Sequence, residues 1–218
     1  MKTSIAAFAA ACVMASTAAA QTMAVGVNAG TPGLGVQLSA KLGDRLTLRG
    51  AIDGMSLNRD EDYSDISYKG DAKLMTGGLF ADFHPGGGAF FVSGGAYAGE
   101  RKIKLDAQPT TSVEIGAQTY TPAQVGRLSG EAKLSGFQPF VGLGFDNTFT
   151  ADRNWGFRVL AGVSFSQEPK VRLTASGGVL SSDPAFLANL RQEEAEARED
   201  AKDFKYFPVL QVGLTRRF

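Results

Sequence analysis

Apolar and polar side chains alternate with a period of two through almost the whole chain, and after the first twenty residues no segment offers the roughly 18 consecutive apolar residues of a membrane-crossing helix. Trp155, Phe157, Val159, Ala161, Val163 and Phe165 form one apolar row, opposed by Gly156, Arg158, Leu160, Gly162, Ser164 and Ser166. Leu46, Leu48 and Ile52 oppose Arg45, Thr47, Arg49, Ala51 and Asp53, and Leu210, Val212, Leu214 and Phe218 oppose Gln211, Gly213, Thr215 and Arg217. Such strands have one dry and one wet face. A membrane barrel with a polar lumen satisfies this pattern, and so does a soluble sandwich with its charges in water.

The N-terminus favours the barrel. Lys2, an apolar run from about Ile5 to Ala15 and the small residues Thr17-Ala18-Ala19-Ala20 read as a secretory signal cleaved before Gln21. The expectation is a signal peptide over 1–20 and one domain over 21–218. The apolar run falls short of the roughly 20 residues a retained anchor needs. Cys12 lies inside it, and Ala9-Ala10-Ala11 lack the large aliphatic residue that a lipoprotein signal places before its cysteine. Without Cys12 the chain has no thiol for a disulfide, a metal or a nucleophile. The 22 basic and 22 acidic residues balance, so no nucleic-acid partner is implied. The single histidine, His84, sits beside Pro85 and a glycine run and reads as a turn residue. We assign no catalytic, cofactor-binding or metal-binding residue and expect no enzyme.

Breakers at Thr31-Pro32-Gly33, Gly43-Asp44, His84-Pro85-Gly86-Gly87-Gly88 and Thr150–Asn154 separate the apolar rows. Counting back from Phe218 gives strands at about 204–218, 154–173, 126–148, 88–105, 66–84, 45–58, 34–42 and 23–31. The expected fold is all-β: an eight-stranded antiparallel transmembrane barrel with short periplasmic turns, longer extracellular loops and one helix in the last loop. Even parity returns both termini to the periplasm of a Gram-negative cell. The long polar connections fall at 58–65, 106–125 and 174–203. An extra hairpin is possible at Val113–Tyr120, and the last connection carries a helix with Asp183 as N-cap, Pro184 at its first position and a body over 187–202. Glycines at Gly77-Gly78 and Gly136 leave the register open there. Aromatic residues Phe83, Phe90, Phe149, Trp155 and Phe218 gather near the periplasmic boundary, where Arg216 can snorkel.

Pro139-Phe140-Val141-Gly142-Leu143-Gly144-Phe145, Asn154-Trp155-Gly156, Pro169-Lys170-Val171-Arg172-Leu173-Thr174-Ala175-Ser176-Gly177 and Pro208-Val209-Leu210-Gln211-Val212-Gly213 resemble the CarO-type family of small outer-membrane barrels. Gly30–Gly35 and Asp82-Phe83-His84-Pro85 fit more loosely. The resemblance implies an eight-stranded barrel and a link to uptake of ornithine and basic amino acids. It carries over no individual site residue. It also implies that the terminal Phe218 is the signal by which barrel assembly machinery recognises such chains.

The interior of an eight-stranded barrel is just wide enough to be filled by side chains. Strand parity sends Arg49, Asp53, Asp82, Gln138, Arg158, Gln211 and Arg217 inward, with Phe91, Tyr97 and Phe140 adding bulk. Two readings follow. In one, Arg49 and Arg158 pair with Asp53 and Asp82 as a structural network. In the other, the residues Arg49, Asp53, Asp82, Gln138, Arg158 and Gln211 line a pathway that passes small cationic or zwitterionic solutes from one partner to the next. Asp60, Glu61, Asp62 and Asp65 form an acidic outer rim that would concentrate cations, and Glu193, Glu194, Glu196, Glu199 and Asp200 crowd the helical connection. Those loops would otherwise be solvated, or meet lipopolysaccharide through divalent ions. The leading expectation is a small-solute facilitator; the alternative is a non-conducting structural or adhesive barrel acting through its extracellular loops.

Overall fold

The computed structural model describes residues 22–63 and 66–218, and the side chains of 59–68, 135 and 203 are not described. The expected signal peptide over 1–20, with Lys2 and Cys12, and Asp65 of the expected acidic rim lie outside the described residues.

Eleven strands follow one another among the described residues: β1 (Met23–Gly30), β2 (Gly33–Lys41), β3 (Leu46–Tyr63), β4 (Ile66–Phe83), β5 (Phe90–Pro109), β6 (Val113–Ile115), β7 (Gln118–Tyr120), β8 (Gly126–Asp146), β9 (Trp155–Phe165), β10 (Lys170–Gly177) and β11 (Tyr206–Arg217). Eight of them form an antiparallel ring in the order β8-β5-β4-β3-β2-β1-β11-β9, and β9 pairs back onto β8 from Asp146↔Arg158 to Phe140↔Ser164. Following directly paired residues from Gly136 through Gly99, Thr76, Asp53, Gly35, Asn28, Gly213 and Arg158 returns to β8 at Asp146, ten residues further along. With a rise of about 3.3 Å and a strand spacing of about 4.8 Å, that stagger tilts the strands by about 40° from the barrel axis.

Outward-facing positions carry a continuous apolar belt. Val25, Val27, Leu34, Val36, Leu48, Ile52, Leu79, Val92, Val141, Leu143, Leu210, Val212 and Leu214 are all exposed. From Phe145 up to Phe137 on β8 the belt rises about 20 Å once the tilt is included, close to the height of a hydrocarbon core. Phe83, Phe90, Phe145, Trp155 and Phe218 rim it at the short-turn end, and Phe137, Phe165 and Tyr206 at the other. Arg216 stands over the Trp155 ring at 5.7 Å, so its head lies at the rim.

Three sequence-based boundaries move. The strand expected over 154–173 is two strands, because Pro169 has no N–H to donate and the chain leaves the ladder at Ser166–Pro169. When it returns as β10, it pairs one residue out of step with β9: Phe140 faces Ser164, whereas Lys133 faces Lys170 rather than residue 171. The ladders through Gly77, Gly78 and Gly136 run unbroken, so the slip sits on the other side of β8. The supposed loop 58–65 is mostly a hairpin, paired as far as Tyr63↔Ile66. Asp60, Glu61 and Asp62 are thus strand residues and not loop residues. The connection 106–125 starts later, at Thr110, and contains the β6–β7 hairpin and a one-turn helix α1 (Pro122–Val125).

The helix in the last connection, α2 (Pro184–Asp200), begins as its sequence implies, with the Asp183 carboxylate accepting from Ala185 N and Phe186 N. It packs with β6, β7 and α1 in a second core of Ile115, Tyr120, Val125, Phe186 and Leu190, joined by Leu128, Leu173 and Ala175 from β8 and β10. Glu193 accepts from Gly116 N at 2.8 Å and Glu194 from Leu173 N at 3.0 Å, so two of the helix's acidic residues fasten this platform.

Candidate functional site

The inward residues of the ring stack into layers. Nearest the short turns lies a charged network centred on Asp82, which is 0% exposed. Asp82 Oδ2 accepts from Arg49 Nε at 3.2 Å and Arg158 Nη2 at 2.9 Å, while Oδ1 accepts from Ser93 Oγ at 2.6 Å. Arg158 Nη1 also donates to Asp146 Oδ2 at 2.6 Å, and Asp146 Oδ1 accepts from the Thr148 amide at 2.8 Å and its hydroxyl. The guanidinium of Arg49 lies 4.1 Å from the Phe80 ring centre, and that of Arg158 lies 4.1 Å from Phe91. His84 belongs to the turn beneath, where Nδ1–H donates to the Gly88 carbonyl at 2.8 Å.

Above this network comes a layer of aromatic rings. Phe80, Tyr97 and Phe140 meet edge to face, with centroids 4.8, 5.4 and 5.6 Å apart, and Ala51, Leu160 and Val209 complete the layer. None of the three rings is more than 1% exposed. Their fit depends on inward glycines. A Cβ on Gly142 or Gly162 would lie 2.6 Å from Phe140 Cζ, and one on Gly144 would lie 2.6 Å from Phe91 Cζ. Small and large inward residues therefore alternate to fill a narrow ring.

Beyond the aromatic layer lies Arg101, 4% exposed, stacked 4.0 Å from Phe207 and donating through Nη1 to Ser164 Oγ at 3.4 Å. Around it Asp53 Oδ2, Thr76 Oγ1, Tyr97 Oη, both amide atoms of Gln138 and Arg101 Nε and Nη2 are buried without a hydrogen-bond partner among the described residues. Polar atoms in that condition cost free energy unless water or another polar group reaches them.

Of the seven polar residues expected inside, Arg49, Asp53, Asp82, Gln138, Arg158 and Gln211 are each no more than 6% exposed, while Arg217, at the end of β11, is only half-buried. One pairing differs. Asp53 joins neither arginine; its Oδ1 accepts from Asn28 Nδ2 and from Gln211 Nε2 at 3.0 Å. The register explains this, because Asp53, Gly35 and Asn28 lie side by side across β3, β2 and β1, while Arg49 is four residues nearer the short turns. Arg101 and Asp146 were missed. Both share the parity of inward neighbours, Tyr97 for Arg101 and Gln138 for Asp146, which was the available signal. They balance the interior at three arginines and three aspartates among the buried described residues. Asp60, Glu61 and Asp62 of the expected acidic rim are described by backbone alone, as residues of β3.

On the outer wall above the belt, charges take over. Lys102 Nζ lies 2.7 Å from Glu131 and Lys133 Nζ lies 2.7 Å from Glu100. The Lys102 hydrogen bond holds the Glu131 carboxyl below its usual range. No cluster of three or more metal-ligating side chains occurs among the described residues.

No family model matches the chain, and no curated protein matches it. Its backbone is similar to the crystal structure of Acinetobacter baumannii CarO2, with a TM-score of 0.62 and 23% identity over 90% of this chain and 98% of that one. Acinetobacter baumannii CarO matches with a TM-score of 0.60 and 20% identity, over 89% and 97% of the two chains. The chain has the fold of the CarO barrels, with a ring of eight antiparallel strands.

Proposed function

We propose that this protein is an integral barrel of a Gram-negative outer membrane whose lumen is sealed and whose working surface is the platform at its long-loop end. The observation that carries this reading is the Phe80–Tyr97–Phe140 layer, which leaves no ring more than 1% exposed in mid-barrel. An aqueous pore would leave its lining wet. In this reading residues 1–20 direct export, 21–218 form one unit, Phe218 addresses the barrel assembly machinery, and the belt meets lipid and lipopolysaccharide. The chemistry needs no cofactor.

A second reading is favoured by the unpartnered polar atoms of Asp53, Thr76, Tyr97, Gln138 and Arg101, which run alongside the aromatic layer. Here small zwitterionic or cationic solutes such as basic amino acids pass when the rings swing aside, exchanging contacts along Arg101, Gln138, Asp53, Gln211, Arg49, Asp82 and Arg158. Single-channel recording of the refolded protein in planar bilayers separates the two. The sealed reading expects silence from the wild type and discrete openings from Y97A/F140A. Wild-type openings that ornithine or lysine blocks would select the facilitator instead.

A further inference from the structure

Four lysines stand in one row on the outer wall. Lys73 of β4 lies directly opposite Lys102 of β5, Lys102 opposite Lys133 of β8, and Lys133 opposite Lys170 of β10. Their shared parity turns all four away from the barrel axis, as the exposed Met75 and Phe137 of the same rows show. Like charges placed directly opposite destabilise a sheet, so such a row calls for anions. Glu131 and Glu100 answer Lys102 and Lys133. Among the described residues no carboxylate lies within 4 Å of Lys73, which is exposed.

The row begins where the apolar belt ends. Lys73 follows Met75 by one outward position on β4, and Lys102 and Lys133 follow Ala98 and Phe137 by two. Rising by about 2.5 Å per residue along the axis, the lower lysines sit within several ångströms of the hydrocarbon edge, in the headgroup layer. Beside Lys73 the rim of the ring steps down to the shorter β1–β2 hairpin. The β1–β2 hairpin turns at Thr31–Pro32, and β2 pairs with β3 only as far as Leu34↔Gly54, while β3 and β4 run on to Tyr63 and Ile66. The step leaves an open depression of about 730 Å³ whose walls include Leu34, Val36, Ile52 and Met75, with Lys73 at its rim.

We infer that this face holds a phosphorylated lipid of the surrounding leaflet, with one acyl chain in the depression and its phosphate between the ammonium groups of Lys73 and Lys102. Apolar contact and charge then lie in the order an anionic lipid presents them. Lys102 can serve the phosphate while keeping Glu131, because an ammonium has three donors. The inference rests on the membrane orientation proposed above, with the lysine row in a headgroup layer.

The test is native mass spectrometry of the refolded protein released from nanodiscs of phosphatidylcholine containing lipid A, dephosphorylated lipid A, or no added lipid with inorganic phosphate in the buffer. Lipid A should be retained, and its dephosphorylated form retained about tenfold less. K73Q/K102Q should lower lipid A retention by about tenfold, an effect that salt mimics, while K170Q changes it little. Equal retention of the two lipids, an unaffected K73Q/K102Q, or capture of inorganic phosphate in place of the lipid would each overturn the inference. Heat-modifiable electrophoretic mobility reports the folded barrel in every arm. A protein that fails to fold into bilayers refutes the membrane reading, whereas a folded barrel without bound lipid refutes only this site.

Discussion

Replacing Asp82 with alanine is expected to destabilise the barrel by about 3–5 kcal/mol, the range for stripping one partner from a buried ion pair. Asp82 is the shared acceptor of Arg49 and Arg158, at 3.2 and 2.9 Å, and it also accepts from Ser93. Its loss leaves Arg49 without an acidic partner, since Arg49 Nη1 and Nη2 already lack hydrogen bonds. Arg158 keeps Asp146 and is hurt less. Urea titration of the refolded variant in lipid vesicles, followed by tryptophan emission from Trp155, measures the change. Arg158→Ala should also be costly, because it orphans Asp146 and half of Asp82. An Asp82→Ala midpoint close to wild type would show that the network is far wetter than its burial indicates.

The second large effect belongs to the outer face. Val141 projects from β8 midway between Phe145 and Phe137 and is 56% exposed. Val141→Arg should cost about 2–4 kcal/mol of folding free energy in bilayers, because the guanidinium then lies near the hydrocarbon midplane. In a water-soluble sandwich the same change at an exposed position would be close to neutral. A companion change on the same strand above the belt, Ser129→Arg, should be tolerated there. Vesicle refolding yields and urea midpoints for the pair compare the two depths directly, and equal costs would contradict the placement of the belt.

Much of this architecture was legible because a period of two assigns faces without needing to know which strand pairs with which. Arg49, Arg158 and Gln211 could be sent inward from the rows around Leu48, Phe157 and Leu210 alone. What parity cannot give is the partner across the ring. Asp53 meets Asn28 and Gln211 only because β2 and β1 bring them alongside with a particular stagger, and that stagger is set by the whole circuit of pairings. The break at Pro169 was written in the sequence, yet an apolar row running into it read as one strand. Asp60–Asp62 read as a loop because strings of acidic residues favour turns, while the ladder to Lys69, Tyr68 and Ser67 keeps the backbone extended. Glycines were legible as abundant; that Gly142 and Gly162 are slots for Phe140 depends on packing between non-adjacent residues.

The central claim is an outer-membrane ring with the platform of β6, β7, α1 and α2 outside the cell and the turn 147–154 inside. Cys12 is the only cysteine in the sequence and falls in the segment proposed to direct export, so single-cysteine variants should report cleanly. The most direct measurement is labelling of Ala195→Cys on α2 and Asp152→Cys in the short turn with a membrane-impermeant maleimide, on intact cells and after lysis, against the unsubstituted protein as background. The account predicts that the α2 cysteine reacts on intact cells and that Cys at position 152 reacts only after lysis. Labelling of position 152 on intact cells with α2 protected, or of neither site until the cytoplasm is opened, would contradict it.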